Sequence, residues 1–153
     1  MQVGDIVNCS SNYAKVTAIN DNTITVDKNI EAKIDDTINL VKGVSYGKSS
    51  HSEGYLTAAT ENYAHAEGER TTASSTASHA EGSYTTASGD YSHAEGIDTE
   101  ASGGRSHAEC YNTKAYGYAS HAEGESTTAT ARASHAEGMY VGAVGDFSHA
   151  EGY

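Results

Sequence analysis

Eight histidines stand at residues 51, 65, 79, 93, 107, 121, 135 and 149, each 14 residues after the last, and the chain holds no others. Two residues on from each lies a glutamate. The pairs are His51 and Glu53, His65 and Glu67, His79 and Glu81, His93 and Glu95, His107 and Glu109, His121 and Glu123, His135 and Glu137, and His149 and Glu151. An imidazole beside a carboxylate can serve as a general acid–base pair, as part of a metal site, or as a hydrogen-bonded contact. The repetition decides among these. Catalysis needs one constellation, and zinc needs a compact, closed ligand set with supporting partners. A packing contact is what recurs at every level of a repeat. We therefore read these 16 residues as an oligomer interface. We expect no catalytic residue and no cofactor. We assign no metal, occupation of single levels of the histidine ladder being the alternative.

A strict 14-residue period is the signature of a solenoid, in which each repeat is one coil resting on its neighbours. With each histidine as position 1, position 2 is Ala in every copy except Ser52, position 3 is always Glu, and position 4 is Gly except at Cys110. Position 7 is Thr until Val141, position 9 is Ala from Ala59 to Ala143, position 11 is mostly Gly or another small residue, and position 14 is Ser except Ala64. So short a repeat cannot hold a helix pair; it fits two strands of about five residues and two tight turns. The absence of proline suits a fold in which nearly every N–H serves a ladder. The expected strands run over positions 14 to 4 and 7 to 11. Alternation puts Ser, Ala and Gly of the first strand on one face and His and Glu on the other; it also puts Thr and the fixed Ala of the second strand together. The small residues point inward. Positions 8 and 10, as at Glu100, Lys114 and Tyr116, point to water. His and Glu also point outward, yet they do not drift from copy to copy. They must face another surface with the same repeat, and the simplest closed arrangement sets several identical coils around one axis.

Val, Ile, Leu and Phe number only 18 of 153 residues, and with a net charge of −12 that composition would ordinarily mean disorder. Thirteen of the 18 lie in residues 1–50. The repeats therefore lack a conventional core and must be ordered by ladder hydrogen bonds, close packing of small groups and association. Residues 51–153 carry 15 acids against four Lys and Arg, which opposes binding to nucleic acid or to an anionic membrane. No apolar run approaches a membrane span, and no signal-peptide pattern follows Met1. Cys9 and Cys110 read as free thiols. Residues 1–44 read as a small β-rich cap domain, with strands over Val3–Val7, Tyr13–Ile19, Thr23–Val26 and Ile38–Val41 and a turn at Asn20-Asp21-Asn22. Residues 45–153 read as the roll, with 43–50 as its link or first coil.

Tyr55, Tyr84, Tyr111 and Tyr140 fall in the turn after the first strand, where they could bind a ligand by stacking on sugars or simply cover the coil edge. The outward pairs Thr72/Ser74, Thr86/Ser88 and Thr128/Thr130 resemble the flat arrays of ice-binding solenoids, an array that Glu100, Lys114 and Tyr116 interrupt. No serine is distinguished as a nucleophile, and no Gly-rich phosphate loop opens a helix. Cys110 reads as a neutral replacement of a turn glycine.

The phrases Ser78-His79-Ala80-Glu81-Gly82 and Thr85-Thr86-Ala87-Ser88-Gly89 resemble the head repeat of trimeric autotransporter adhesins of the YadA type, which has the same 14-residue length. A closer likeness is to the His-Ala-Glu-Gly repeats of tail-associated proteins from phages and prophages of Gram-positive bacteria. There a short β unit with a start like Val3-Gly4-Asp5-Ile6-Val7 precedes the repeats. The likeness covers residues 51–153, extended to 45 with the link. It implies an all-β chain: a left-handed parallel β-roll (β-solenoid), homotrimeric, with a small N-terminal β cap. It implies a structural and adhesive fibre module of a phage tail or surface fibre that displays host-binding loops, located in the virion or at the cell surface. The expected partners are its own copies and a host surface glycan or receptor, not nucleic acid or membrane, and no enzymatic activity is expected. The alternatives are a carbohydrate- or cell-surface-binding adhesin head, and a scaffold for a downstream autoproteolytic peptidase domain that residues 1–153 do not contain. Where the adhesins carry Val and Ile, this chain carries His and Glu, so its seam is polar.

Overall fold

The computed structural model describes the backbone of Ile6–Cys9, Asn12–Asn20, Thr23–Val26 and Asn39–Leu40, and the continuous chain from residue 44 to residue 153. Those first four strands form one antiparallel sheet in which Asn12–Asn20 lies between Thr23–Val26 and Ile6–Cys9, with Asn39–Leu40 at the far edge. The hairpin expected around Asn20 forms, with Asn20 paired to Thr23 and a register shift between Val16 and Ala18. Val3, Gly4, Asp5, Asp21, Asn22, Ile38 and Val41, which the sequence reading also used, lie outside the described residues.

The rest is a parallel β-solenoid of about seven coils with two eight-stranded sheets. One sheet is built from the histidine strands, from His51–Tyr55 to His149–Gly152. The other runs from Val44–Ser45 and Ala58–Ala59 to Gly142–Ala143. Pairing is in register throughout: His79 sits on His93, Glu81 on Glu95, and Ala87 on Ala101. Among the described residues, no helix is long and apolar enough to cross a membrane.

The interior contains the columns the alternation predicts. Ala at positions 2 and 9 is fully buried in the middle coils, as at Ala94 and Ala101, and so are Thr at position 7 and Ser at position 14. Small groups suffice because the two sheets nearly touch. Each polar column raises the question of its hydroxyls. In most coils the position 14 serine donates to the carbonyl of position 11 in its own turn, at 2.7 Å for Ser78 and Ser92 and 2.8 Å for Ser120, whereas the hydroxyls of Ser106 and Ser148 find no partner among the described residues. The threonines of the later coils donate to the position 3 carbonyl, Thr113 to Glu109 at 2.9 Å and Thr127 to Glu123 at 3.0 Å. The hydroxyls of Thr71, Thr85 and Thr99 find no such acceptor.

Three features differ from expectation. The second strand is only two residues long, positions 8 and 9, and the first covers positions 1 to 5. The cause lies in two sharp corners per coil, at positions 6 and 13, where the backbone adopts φ of 50–60°. These corners are occupied by residues such as Leu56, Arg70, Tyr84, Tyr91 and Phe147 rather than glycine. A left-handed L-residue costs about 1–2 kcal/mol. It is held there because its N–H bonds the coil before: Tyr84 to Glu69 at 2.9 Å and Arg105 to Asp90 at 2.8 Å.

The third difference concerns the position 4 glycine, which does not pack inside. Its φ is 104–125°, and a Cβ at Gly82 would lie 2.1 Å from the Gly96 carbonyl oxygen. Cys110 shows the consequence of breaking this rule. Its φ is 82°, and its strand shrinks to His107–Ala108.

Two outcomes follow from this packing. Cys110→Gly should restore the five-residue strand seen in its neighbours and raise stability by about 1 kcal/mol, read from the denaturant midpoint. Ala101→Val should lower stability by about 1–3 kcal/mol through overpacking; an unchanged midpoint would mean that the space between the sheets is looser than the full burial of Ala101 indicates.

Candidate functional site

The histidine strand carries positions 1 and 3 on its outer face, so the in-register ladder turns eight His–Glu pairs into two parallel columns. From His65 to His149 the imidazoles stack face to face, with centroids 4.7–4.9 Å apart and planes within 3–9° of parallel. Only the terminal pair departs, His51 meeting His65 edge-on at 68°. The glutamates flank the rings. Distances from Nε2 to a carboxylate oxygen run from 3.2 Å, for His51 to Glu53 and His121 to Glu109, to 4.0 Å for His149 to Glu137. A glutamate can reach two rings: Glu81 lies 3.9 Å from His79 and 3.8 Å from His93.

The stripe is neither core nor free surface. The side chains of His107 and Glu95 are 36% and 34% exposed. The Nε2 atoms of His65, His79, His93, His107 and His135 are closed to solvent yet lack a hydrogen-bond partner among the described residues. Beside the stripe runs a shallow trough of about 400 Å³, walled by Glu67, Glu81, Glu95 and Glu109 and floored by Gly68, Gly82 and Gly96.

Stacking like on like moves the protons. Burial, followed by the neighbouring imidazoles, holds His79, His93 and His135 below the ordinary value of 6.5, and burial followed by His121 does the same to His107. The glutamates alternate. Hydrogen bonding to Glu81, then burial, pushes Glu95 up to about 7, and hydrogen bonding to Glu109 raises Glu123. Glu81 is lowered, chiefly by the hydrogen bond from Glu95. At Glu109 burial acts upward but is outweighed by hydrogen bonds from Glu123, Glu95 and His121, so it too is lowered. A protonated Glu95 thus donates to its ionised neighbours, and the four carboxyls from Glu81 to Glu123 titrate together.

Three groups place three ligand atoms within 4.8 Å of one another: Glu81–His93–Glu95, His107–Glu109–His121 and His135–Glu137–His149. Their residue types suit a transition metal, but in the two groups that hold paired rings the arrangement does not. Zinc draws its nitrogens to about 2.0–2.1 Å around one centre. The rings of His107 and His121 are instead parallel within 3° and 4.9 Å apart, which is stacking geometry.

The four tyrosines singled out in the sequence do not form one platform. Tyr55 and Tyr111 occupy position 5, Tyr55 at its strand end and Tyr111 in isolated bridges to Ile97 and Glu125, whereas Tyr84 and Tyr140 occupy the left-handed corner at position 6. All four are exposed. Tyr84 is capped by Arg70, whose guanidinium carbon lies 5.1 Å from the ring centre. Cys110 is free and exposed, while Cys9 has its side chain outside the described residues. What sequence reading missed is the opposite corner, at positions 12 and 13, where Arg105 lies 5.3 Å over Tyr118 and Arg132 5.6 Å over Phe147. The signal was present: an arginine followed 13 or 15 residues later by an aromatic.

No protein-family model matches the chain, and no curated protein matches it.

The linkage signs are opposed. The lowered histidines contribute stability that falls as pH drops through 6.5 toward their folded values. Glu81 and Glu109 lose theirs as pH drops below 4.5 through their own folded values. Glu95 runs the other way: its contribution is full below 4.5 and is lost as pH rises through about 7. Glu95→Gln keeps the neutral form at every pH. Its melting temperature should rise relative to the parent at about pH 8 and match it at about pH 5. Equal shifts at both values would mean that the carboxylates do not share protons.

Proposed function

We propose that this chain is a non-enzymatic structural module of a phage tail or cell-surface fibre. Three copies stand side by side as left-handed rolls with their His–Glu stripes facing a common axis. The N-terminal sheet acts as a cap that sets the register, since a one-coil slip would leave the stripes matched. The observation that supports this most directly is the stripe itself: half-exposed, repeated without change at His and Glu, and holding ring nitrogens that are shut from water but unbonded. A buried unpaired polar atom costs about 1–3 kcal/mol. A facing stripe excludes the water that competes for the carboxylates and draws these pairs into bonding distance. The acidic trough floored by glycine is open to a partner's side chains.

Several other features fit the same reading. The roll has almost no apolar interior beyond alanine, so area buried between chains is its natural source of added stability. Closed rotational symmetry is the usual way for identical surfaces to satisfy one another. A net charge of −12 disfavours nucleic acid as the partner.

Light scattering on the whole chain should return three times its 15.9 kDa mass. Replacing Glu81, Glu95 and Glu109 together by Lys should reduce it to single chains. A parent protein with the mass of one chain would overturn the proposal.

A further inference from the structure

The corner at positions 10 to 13 carries a second feature, away from the His–Glu stripe. A groove of about 480 Å³ lies across successive coils there, walled by Asp90, Tyr91, Arg105 and Tyr118. Ser88 and Ser102 also line it. Gly104, the one glycine at position 12 in the repeats, opens a notch: a side chain there would grow against the Tyr118 ring, which a Cβ would meet at 3.4 Å.

The walls are fixed and chemically varied. The guanidinium of Arg105 lies over the Tyr118 ring and donates to its hydroxyl. Asp90 uses one oxygen, Oδ1, to accept from the Ser75 hydroxyl and from the Thr76 N–H. Among the described residues its other oxygen accepts nothing. Tyr91 sits at a left-handed corner with φ of 59° and is 61% exposed, and among the described residues no cation or aromatic ring covers it.

We infer that this groove is a binding site for a neutral saccharide. A bare aromatic face stacks on the C–H face of a pyranose. Ring hydroxyls both donate and accept. They match a site that offers guanidinium N–H donors, a carboxylate acceptor and serine hydroxyls that can do either. The Asp90 carboxylate and the acidic chain disfavour an anionic ligand. The mixture of donors and acceptors disfavours an apolar one. The groove crosses several coils, so it takes a short oligosaccharide rather than one sugar. None of this depends on how many chains associate.

The test uses the intact chain and two probes, the β-1,4-linked trisaccharides of glucose and of N-acetylglucosamine, followed by saturation-transfer NMR. At least one sugar should receive saturation. Tyr91→Ala and Gly104→Asn should each weaken binding about tenfold, and Tyr84→Ala, at the other corner, should leave it unchanged. Gly104→Asn removes no contact and fills the notch, so it decides the matter if Tyr91→Ala disturbs folding. Transfer to neither sugar, binding that survives both groove variants, or an equal loss in Tyr84→Ala would each overturn the assignment. The mass measurement is separate. A single-chain protein that binds sugar sinks only the fibre reading, and a trimer that binds neither probe sinks only the groove.

Discussion

Every coil lies in register on the last, so each side chain has its own counterpart as nearest neighbour, with the stacked rings 4.7–4.9 Å apart. That constraint selects the residues. A column must be built from a group that tolerates a copy of itself at ladder spacing. Alanine does so by being small. Serine and threonine do so by being small, and in several coils a turn or strand carbonyl also takes the hydroxyl. Imidazoles do so by stacking, and at His79, His93, His107 and His135 burial and neighbouring histidines both favour the neutral ring. Carboxylates are the hard case, since like charges at this distance repel. From Glu81 to Glu123 the column answers by alternating lowered and raised glutamates that share protons.

The same constraint explains which parts of the fold were legible in the sequence. A column that must tolerate itself shows up as an unchanging letter, so Ala at positions 2 and 9, Thr at 7, Ser at 14 and the outer His and Glu could all be placed before any coordinates. The corners could not. At positions 6 and 13 the side chain leaves the coil, so Leu56, Arg70 and Tyr84 serve as well as Asn112, and no recurring glycine or asparagine marks the left-handed backbone. What fixes that backbone is a bond from the corner N–H to the coil before, a contact that has no letter. The short second strand follows from the corners and was hidden with them. Position 4 was misplaced for a related reason. Its glycine looks like one more small interior residue, but it is fixed by a carbonyl oxygen 2.1 Å from where a Cβ would stand.

The ladder also ties packing to protonation. Moving a second surface against the stripe raises the cost of every charge in it, so the histidines move further toward neutral and the glutamates toward shared protons. A stripe of Val and Ile would associate regardless of pH and of partner. A stripe of hydrogen-bonding groups associates only with one that returns its donors and acceptors level by level, at a cost in strength that polar seams commonly carry for register.

A strictly repeated residue performs a repeated task, and individual chemistry has to be sought where the repeat is broken. The fixed columns break singly, at Ser52, Ala64, Cys110 and Val141, whereas positions 12 and 13 vary from coil to coil, and there Gly104, the only glycine at position 12, stands with Arg105 and Tyr118. In a solenoid such departures cost little, because corner side chains at positions 12 and 13 do not enter the interior, and the neighbouring coils keep the backbone in place through their own bonds. The stack therefore supplies a rigid frame from identical parts. On one stretch of its edge it is free to carry residues chosen for something other than the stack.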